Sequence, residues 1–214
     1  MPITIGIPVY DGVDLLDVTG PHEMLGWMNQ QGQPPKVAIH LLAEQAGEVT
    51  SRDGFTFKAG TGFADAPALD VIWVPGGEVP ALKRLMHGSD TAYLDFLKQR
   101  APTAKYVCSV CEGALLLAQA RLLAGYCVTT HWAFVNCLKQ FPGVKIAEGT
   151  PRFVHDRNRL TGGGISSGLD EALKLIELLT DTATAIDVQQ TTQYYPAPPV
   201  ASCLPAPGKC PLDD

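Results

Sequence analysis

Residues 105–118 read KYVCSVCEGALLLA and give the clearest indication of the fold of this chain. Its first part, residues 105–110, predicts a short apolar strand inside a sheet. The segment that follows, residues 111–124, is apolar on nearly all sides and ends at Gly125, which predicts a central helix covered on both faces. A buried strand that turns directly into a buried helix is the basic unit of an α/β fold.

The rest of the chain repeats this alternation. Further strands are predicted at 3–10, 37–43, 70–75 and 126–130, with hairpins at 53–62 and 152–161. Helices are predicted at 21–30, 79–86, 91–100, 132–140, 167–179 and 183–193, the first with Pro21 at its opening position. Alternating elements imply right-handed crossovers, hence a doubly wound α/β domain with a mostly parallel sheet and helices on both faces. We assign residues 1–195 to this single domain and 196–214 to a Pro-rich, irregular tail.

Composition excludes several classes of function. The 214 residues are 46% hydrophobic and 18% charged, with a net charge of −6, which argues against nucleic acid as a partner. No secretory signal and no membrane-spanning stretch is recognisable, so a cytoplasmic protein is expected. The chain has six cysteines and is large enough to fold without a disulfide framework, so these should mostly be thiols.

Chemistry-bearing residues follow the predicted strands. Ligands bind at the carboxyl ends of strands in such folds, so the site should lie after Tyr10, Pro75, Val110 and Thr130. Cys111 stands at a strand-to-helix turn like a nucleophile elbow, where the helix dipole favours a thiolate. A buried structural cysteine is one alternative, and a redox or metal pair with Cys108 in a C-x-x-C pattern is another.

A carboxylate and a histidine are the candidate partners of Cys111. Asp17 lies between apolar residues before a helix, so burial should raise the pKa of its carboxyl and fit it for acid/base work; an N-cap role is the alternative. Asp11 and Asp14 are expected to face the loop or solvent. His131 follows the next strand and either activates the thiol or merely borders the site.

These residues together resemble the ThiJ/PfpI superfamily and, within it, the isocyanide (isonitrile) hydratases. The resemblance spans roughly residues 3–200 and implies a flavodoxin-like, class I glutamine amidotransferase-like fold. It is carried by the segments 16–23 (LDVTGPHE), 74–77 (VPGG), 110–113 (VCEG), 129–132 (TTHW), 156–164 (DRNRLTGGG) and 167–170 (SGLD).

The resemblance also implies roles. Cys111 would be the nucleophile and Asp17 the acid/base partner in the hydration of an isocyanide to an N-substituted formamide. The amides of Gly77 and Glu112 would form an anion site, with Thr19 and His131 bordering the substrate pocket. No metal and no organic cofactor are expected, and the protein should act on a small molecule as a homodimer.

One residue departs from the hydratase pattern, which usually has Thr where this chain has Glu112. A carboxylate aimed at the sulfur would oppose thiolate formation, so the side chain would have to point away and leave only its amide in the site. Two alternative functions stay open. One is glyoxalase-like or amidase/protease-like thiol chemistry of the same superfamily, and the other is a non-enzymatic redox or ligand sensor.

Overall fold

The computed structural model describes residues 2–30 and 35–213, and within them it contains one large sheet and two small ones. The strands are β1 (Ile3–Pro8), β2 (Val37–Ala43), β3 (Gly47–Thr50), β4 (Thr56–Ala59), β5 (Thr61–Gly62), β6 (Val71–Val74), β7 (Tyr106–Ser109), β8 (Cys127–Val128), β9 (Lys145–Ile146), β10 (Phe153–Asp156) and β11 (Arg159–Gly162). The helices are α1 (Leu15–Gly26), α2 (Val79–His87), α3 (Ala92–Arg100), α4 (Gly113–Gln119), α5 (Val135–Leu138), α6 (Ser167–Leu179) and α7 (Thr182–Thr191). Short 3-10 helices cover Trp27–Gln30, Phe63–Asp65, Ala101–Thr103 and Trp132–Phe134.

The central sheet has seven strands in the order β10-β11-β7-β6-β1-β2-β5. Its pairs are parallel apart from β10 with β11. The crossover from β1 to β2 and the crossover from β6 to β7 run toward opposite edges, so right-handed connections place their helices on opposite faces. Accordingly α1 packs with α6 and α7 packs on α6, whereas α2 and α3 pack with α4. The predicted doubly wound, mostly parallel fold is confirmed.

The middle of the sheet is dry. Trp73 on β6, Ile5 and Ile7 on β1, and Leu116 on α4 are among the largest side chains with no exposed surface. Burying side chains of this size contributes roughly 1.5–3 kcal/mol each relative to leaving them exposed. This packing fixes the ends of β1, β6 and β7, which carry the predicted chemistry. No helix within residues 2–30 and 35–213 is long and apolar enough to cross a bilayer.

Several predicted elements differ from those observed; the helix predicted at 132–140, for example, is a 3-10 helix at Trp132–Phe134 followed by the short α5. Helix α1 begins at Leu15, not at Pro21, so Pro21 lies inside the helix. Helix α4 covers only Gly113–Gln119, because the chain turns out of the helix before Arg121, whose φ is positive. Strand β8 pairs with β9 in a sheet of its own, so the segment before His131 does not belong to the central sheet.

Both predicted hairpins are present, but their observed bounds agree with the predicted ranges to different degrees. The antiparallel pair of β10 and β11 turns at Arg157, as expected from the sequence. The earlier hairpin starts upstream of the predicted range, with β3 and β4 forming a separate two-stranded sheet and only β5 lying at the edge of the central sheet. Its turn carries Arg52, which proves important for the site.

One disulfide joins the tail to the body. Four of the six cysteines are free, in line with the expectation of mostly thiols, but Cys137 of α5 is bridged to Cys210, a pairing that the sequence analysis did not anticipate. Residues 194–213 contain no helix or strand, as the prolines predicted. The tail is nevertheless tied to a definite place.

Gly113 is a position where the fold depends on a missing side chain. A Cβ there would overlap the carbonyl oxygen of Val74 on β6, so Gly113→Ala should lose at least about 2 kcal/mol of unfolding free energy. Gly26→Ala is the matched control, since a Cβ at that helical position has open space and should stabilise by about 0.5–1 kcal/mol. Urea unfolding measures both, and equal stabilities of the two variants would contradict this account of the packing.

Candidate functional site

The predicted strand ends bring one thiol and three carboxyl groups into a single buried cluster. The loop after β1 and the start of α1 supply two of the acids, and the turn after β7 supplies the thiol and the third acid. The reactive atoms of four buried residues all lie within 4.8 Å of one another: Asp14, Asp17, Cys111 and Glu112.

Cys111 is held by its backbone in a strained turn. Its φ is 57°, in the left-handed region that few non-glycine residues adopt. The amide of Cys111 donates to Gly163 O at 2.8 Å, and its carbonyl accepts from Thr130 Oγ1 at 2.8 Å and from the amide of His131 at 3.4 Å. These bonds fix the direction of the side chain, as the elbow geometry predicted.

The environment of the sulfur opposes the predicted thiolate. Cys111 is 1% exposed, and its Sγ lies 3.8 Å from Asp14 Oδ2. Burial, followed by the nearby charges of Asp17 and Glu112, raises the pKa of the Cys111 thiol well above its usual value. A helix dipole is worth only about 0.3–1 kcal/mol, so it does not outweigh these effects. The resting side chain is therefore a thiol, which corrects the expectation from the helix start.

Asp17 is the buried acid that the sequence predicted. It has no exposed surface, and its Oδ2 accepts a hydrogen bond from the amide of Gly76 at 2.8 Å. Burial raises the pKa of the Asp17 carboxyl well above its usual value, and the charges of Glu112 and Asp14 raise it further. Asp17 lies within α1, so it is not the N-cap of that helix.

The proline inside α1 explains how Asp17 is fixed. Proline has no N–H, so Pro21 cannot donate to the carbonyl of Asp17 four residues earlier. The indole Nε1 of Trp73 donates to that carbonyl instead, at 3.1 Å. Helix α1 is thus tied to β6 at the residue that carries the acid.

Asp14 is the residue that sequence reasoning missed. We expected it to face the loop or solvent, but it is buried, with Oδ2 toward the Cys111 sulfur and Oδ1 2.9 Å from Arg52 Nη1. Burial raises the pKa of the Asp14 carboxyl, while Arg52 opposes that rise. The three-residue spacing between Asp14 and Asp17 was the available signal, because it places both acids on one side of the helix start.

Glu112 also differs from expectation. Its side chain does not point away but lies in the cluster, and burial raises the pKa of its carboxyl to about 7. The nearby backbone N–H groups of Gly77 and of Glu112 itself oppose this rise in pKa. The Glu112 side chain therefore lies close to the two amides at which the anion site was predicted.

His131 lies at the border of the site, one of the two positions considered for it, whereas Thr19 does not reach the site. His131 Nδ1 accepts from the amide of Ala133 at 3.3 Å, capping the 3-10 helix, and lies 4.0 Å from Glu112 Oε1. Partial burial lowers the pKa of the imidazole, so it is neutral and borders the thiol without a hydrogen bond to the sulfur. Thr19 is exposed and donates to Leu15 O within α1 at 3.0 Å, so the structure does not bring it to the cluster.

Cys108 does not form the redox pair that was considered as an alternative. Its side chain is buried in the core and carries a free thiol, as does Cys111. Burial raises the pKa of the Cys108 thiol well above its usual value. The C-x-x-C spacing therefore reflects a core residue followed by a site residue.

A cavity of about 400 Å³ lies beside the cluster. His131 belongs to both, since it lines the cavity and approaches Glu112. The walls combine apolar side chains with the backbone of the glycine loop after β11: Leu16, Thr130, Trp132, Gly163, Gly164, Ile165 and Leu204 are among the lining residues. The arrangement offers a thiol, carboxyl groups with raised pKa values and an adjoining space for a small organic molecule.

Known proteins share this chain's sequence and fold. It is 40% identical over 205 residues to the isonitrile hydratase of Pseudomonas putida, covering 96% of this chain and 84% of that enzyme. It is 30% identical over 176 residues to the HTH-type transcriptional regulator GbdR of Pseudomonas aeruginosa, covering 82% of this chain but 46% of the regulator. A ThiJ/PfpI family protein from Pseudomonas syringae has a crystal structure with a TM-score of 0.83 and 36% identity, covering 94% of this chain and 78% of that one.

The family assignment follows from these matches together with the turn that carries Cys111. Residues 4–178 match the DJ-1/PfpI family, a range that includes the thiol, the three carboxyl groups and His131. The chain belongs to the DJ-1/PfpI family.

Proposed function

We propose that this chain hydrates organic isocyanides to N-substituted formamides, with Cys111 as the nucleophile and Asp17 as the acid/base partner. The observation that carries the proposal is the buried cluster in which a thiol and protonatable carboxyl groups lie within 4.8 Å of one another. The similarity to an isonitrile hydratase over 96% of the chain supports the same reaction.

The different environments of two carboxyl groups assign their roles. Asp14 is paired with Arg52, which favours its ionised form, whereas Asp17 has no cation at contact distance among the described residues and its burial favours the protonated form. When the environments of two carboxyl groups differ in this way, the group that favours ionisation acts as the base and the group that favours protonation acts as the acid. Asp14 therefore accepts the thiol proton, and Asp17 donates a proton to the substrate.

The first step forms the carbon–sulfur bond. The sulfur of Cys111 attacks the terminal carbon of R–N≡C while its proton passes to Asp14. Asp17 gives its proton to the same carbon, and the product is the thioimidate R–N=CH–S bound to Cys111. Proton transfers by positioned groups of this kind accelerate reactions by about 10²–10⁴-fold.

The second step releases the formamide. A water molecule adds its oxygen to the thioimidate carbon and gives one proton to the Asp17 carboxylate. The remaining hydroxyl proton moves to the nitrogen as the carbon–oxygen double bond forms and the carbon–sulfur bond breaks. Cys111 recovers its proton from Asp14, so the sum is R–N≡C plus water giving R–NH–CHO, with no metal or organic cofactor required.

Burial of the sulfur favours a slender electrophile. Cys111 is 1% exposed and does not itself line the cavity, so a substrate must reach the sulfur with a narrow group. The reacting carbon of an isocyanide is terminal and linear, and its organic substituent can stay in the adjoining cavity. Two other expectations remain part of the proposal: a small-molecule substrate and a homodimer.

The thiol and the acid can be tested with matched variants. Cys111→Ser should abolish hydration of phenyl isocyanide, and Asp17→Asn should lower kcat by about 10²–10⁴-fold because the proton donor is lost. Cys127→Ser and Asp65→Asn are the controls. Cys127 is a free thiol in strand β8, outside the cluster, and Asp65 is an exposed aspartate. Formamide production is followed by liquid chromatography.

Turnover of methylglyoxal instead of isocyanide by the intact protein would favour glyoxalase-like chemistry. Stoichiometric oxidation of Cys111 without turnover of either compound would favour a sensor. Either result would overturn the proposed hydration.

The protonation of Glu112 predicts a specific pH dependence of stability. The folded pKa of about 7 lies above the ordinary 4.5, so the folded state holds an extra proton between these values and stability falls as pH rises through them. At about 1.4 kcal/mol per pKa unit, the loss between pH 4.5 and pH 7 is on the order of 3 kcal/mol. Glu112→Gln should not show this loss and should exceed the wild type in stability at pH 8.

Chemical denaturation at pH 4.5, 6 and 8 measures the difference between the two proteins. Glu148→Gln, at an exposed glutamate, is the control and should follow the wild type. A constant difference between wild type and Glu112→Gln across this range would show that Glu112 ionises in the folded protein as it does in the unfolded chain.

A further inference from the structure

The C-terminal tail is anchored at its far end to the helix beside the cavity. Cys210 is bridged to Cys137 in α5, which directly follows the 3-10 helix that His131 caps. Asn136 Nδ2 donates to Pro207 O at 3.3 Å and to Gly208 O at 2.7 Å. The end of the tail is therefore fixed by a covalent bond and by neighbouring hydrogen bonds, although it contains no regular structure.

The segment just before the tail is anchored to Asp170, the partner of a residue that lines the same cavity. Tyr194 Oη donates to Asp170 Oδ1 at 3.2 Å, and Gln189 Nε2 donates to Tyr194 O at 3.2 Å. Asp170 is also the ion-pair partner of Arg152, a residue that lines the cavity. The segment is therefore held at both ends by residues that contact neighbours of the cavity, and Leu204 between them lines the cavity.

Leu204 is the tail residue that lines this cavity. It shares the lining with Leu16, Trp132 and Ile165, yet it is still 58% exposed. A second cavity of about 600 Å³ lies under the tail from Leu204 to Pro207. The tail therefore spans open space here, and an apolar ligand beside Leu204 would remove apolar surface from water.

The polar groups of the cavity leave little room for a charged ligand. The Arg152 guanidinium is bound to Asp170 and donates to Ser166 O at 2.9 Å. Its charge is therefore already neutralised. The rest of the cavity surface is largely apolar, which suits an uncharged organic group rather than a carboxylate or a phosphate.

We infer that the tail is a strap that completes the substrate pocket, and that Leu204 selects isocyanides with an apolar aryl or branched alkyl substituent. The Cys137–Cys210 disulfide holds the strap in position. This inference rests on the proposed function, because it names the class of isocyanide that the site would take. The reacting carbon lies at the cluster, and the substituent lies between Leu204 and the apolar wall of the cavity.

Activity with two substrates tests the strap. Leu204→Ala should lower kcat/KM for phenyl isocyanide about tenfold through KM, as expected when an apolar contact to the substituent is lost, and should change methyl isocyanide less than twofold. Cys210→Ser, and reduction of the wild type with dithiothreitol, should have the same selective effect. Retained turnover of methyl isocyanide in each variant demonstrates an intact fold and cluster.

Two tail variants are the matched controls. Val200→Ala shortens an apolar side chain of the tail that is 75% exposed and does not line the cavity, and Cys203→Ser removes a free tail thiol. Both should leave the two substrates unaffected. Equal losses for phenyl and methyl isocyanide, or no loss for either, in Leu204→Ala and Cys210→Ser would overturn the strap.

Ligand binding separates the strap from the proposed reaction. Benzonitrile has the same phenyl group and a linear head, and calorimetric titration into Cys111→Ser avoids reaction with the thiol. Adding Leu204→Ala should weaken benzonitrile binding about tenfold. If the wild type turns over no isocyanide but Leu204→Ala still weakens benzonitrile binding, the proposed reaction is wrong and the strap is supported. If Leu204→Ala does not change benzonitrile binding and the wild type is active, only the strap is wrong.

Discussion

The exclusion of water from a group of acids controls the rest of this site. Three carboxyl groups surround the Cys111 sulfur, and Arg52 is the cation paired with one of them. Ionising all of them in a dry interior would be very costly, so burial favours the protonated forms of Asp17 and of the Cys111 thiol, while Arg52 favours the ionised form of Asp14. The resting site therefore holds a thiol beside a proton donor and a proton acceptor rather than a thiolate, and a reaction that adds a proton to carbon suits it.

The sequence predicted the sheet edge at which this chemistry lies but not the direction of every side chain. The alternation of elements placed the turn at Cys111 beside the start of α1, and the apolar neighbours of Asp17 indicated its burial. Asp14 was missed because its burial depends on Arg52, which arrives on a hairpin distant in sequence. Glu112 was misjudged because the space that receives its side chain is formed by glycines of another loop. The local sequence pattern around Asp14 and Glu112 predicts neither of these two long-range contacts.

His131 was predicted to lie near the site, but the structural reason given for its position was incomplete. We expected it at the end of a central strand, but β8 belongs to a small sheet with β9. His131 reaches the cluster because its amide bonds to the carbonyl of Cys111, beside the bond that Thr130 makes to the same oxygen. The alternation of strands and helices therefore located this segment near the turn, while two specific hydrogen bonds determine its position.

The tail separates what composition can predict from what it cannot. Its prolines predicted the lack of helix and strand, since proline has no N–H for either, but the position of an irregular segment is set by its anchors. Six cysteines allow fifteen pairings, so the partner of Cys210 could not be identified from spacing. The family match ends at residue 178, and the strap lies beyond it. The reacting atoms thus lie within residues 4–178, whereas the proposed wall beside the substituent comes from the segment after them. Under the proposed strap, substrate choice would depend on a segment separate from the buried acids.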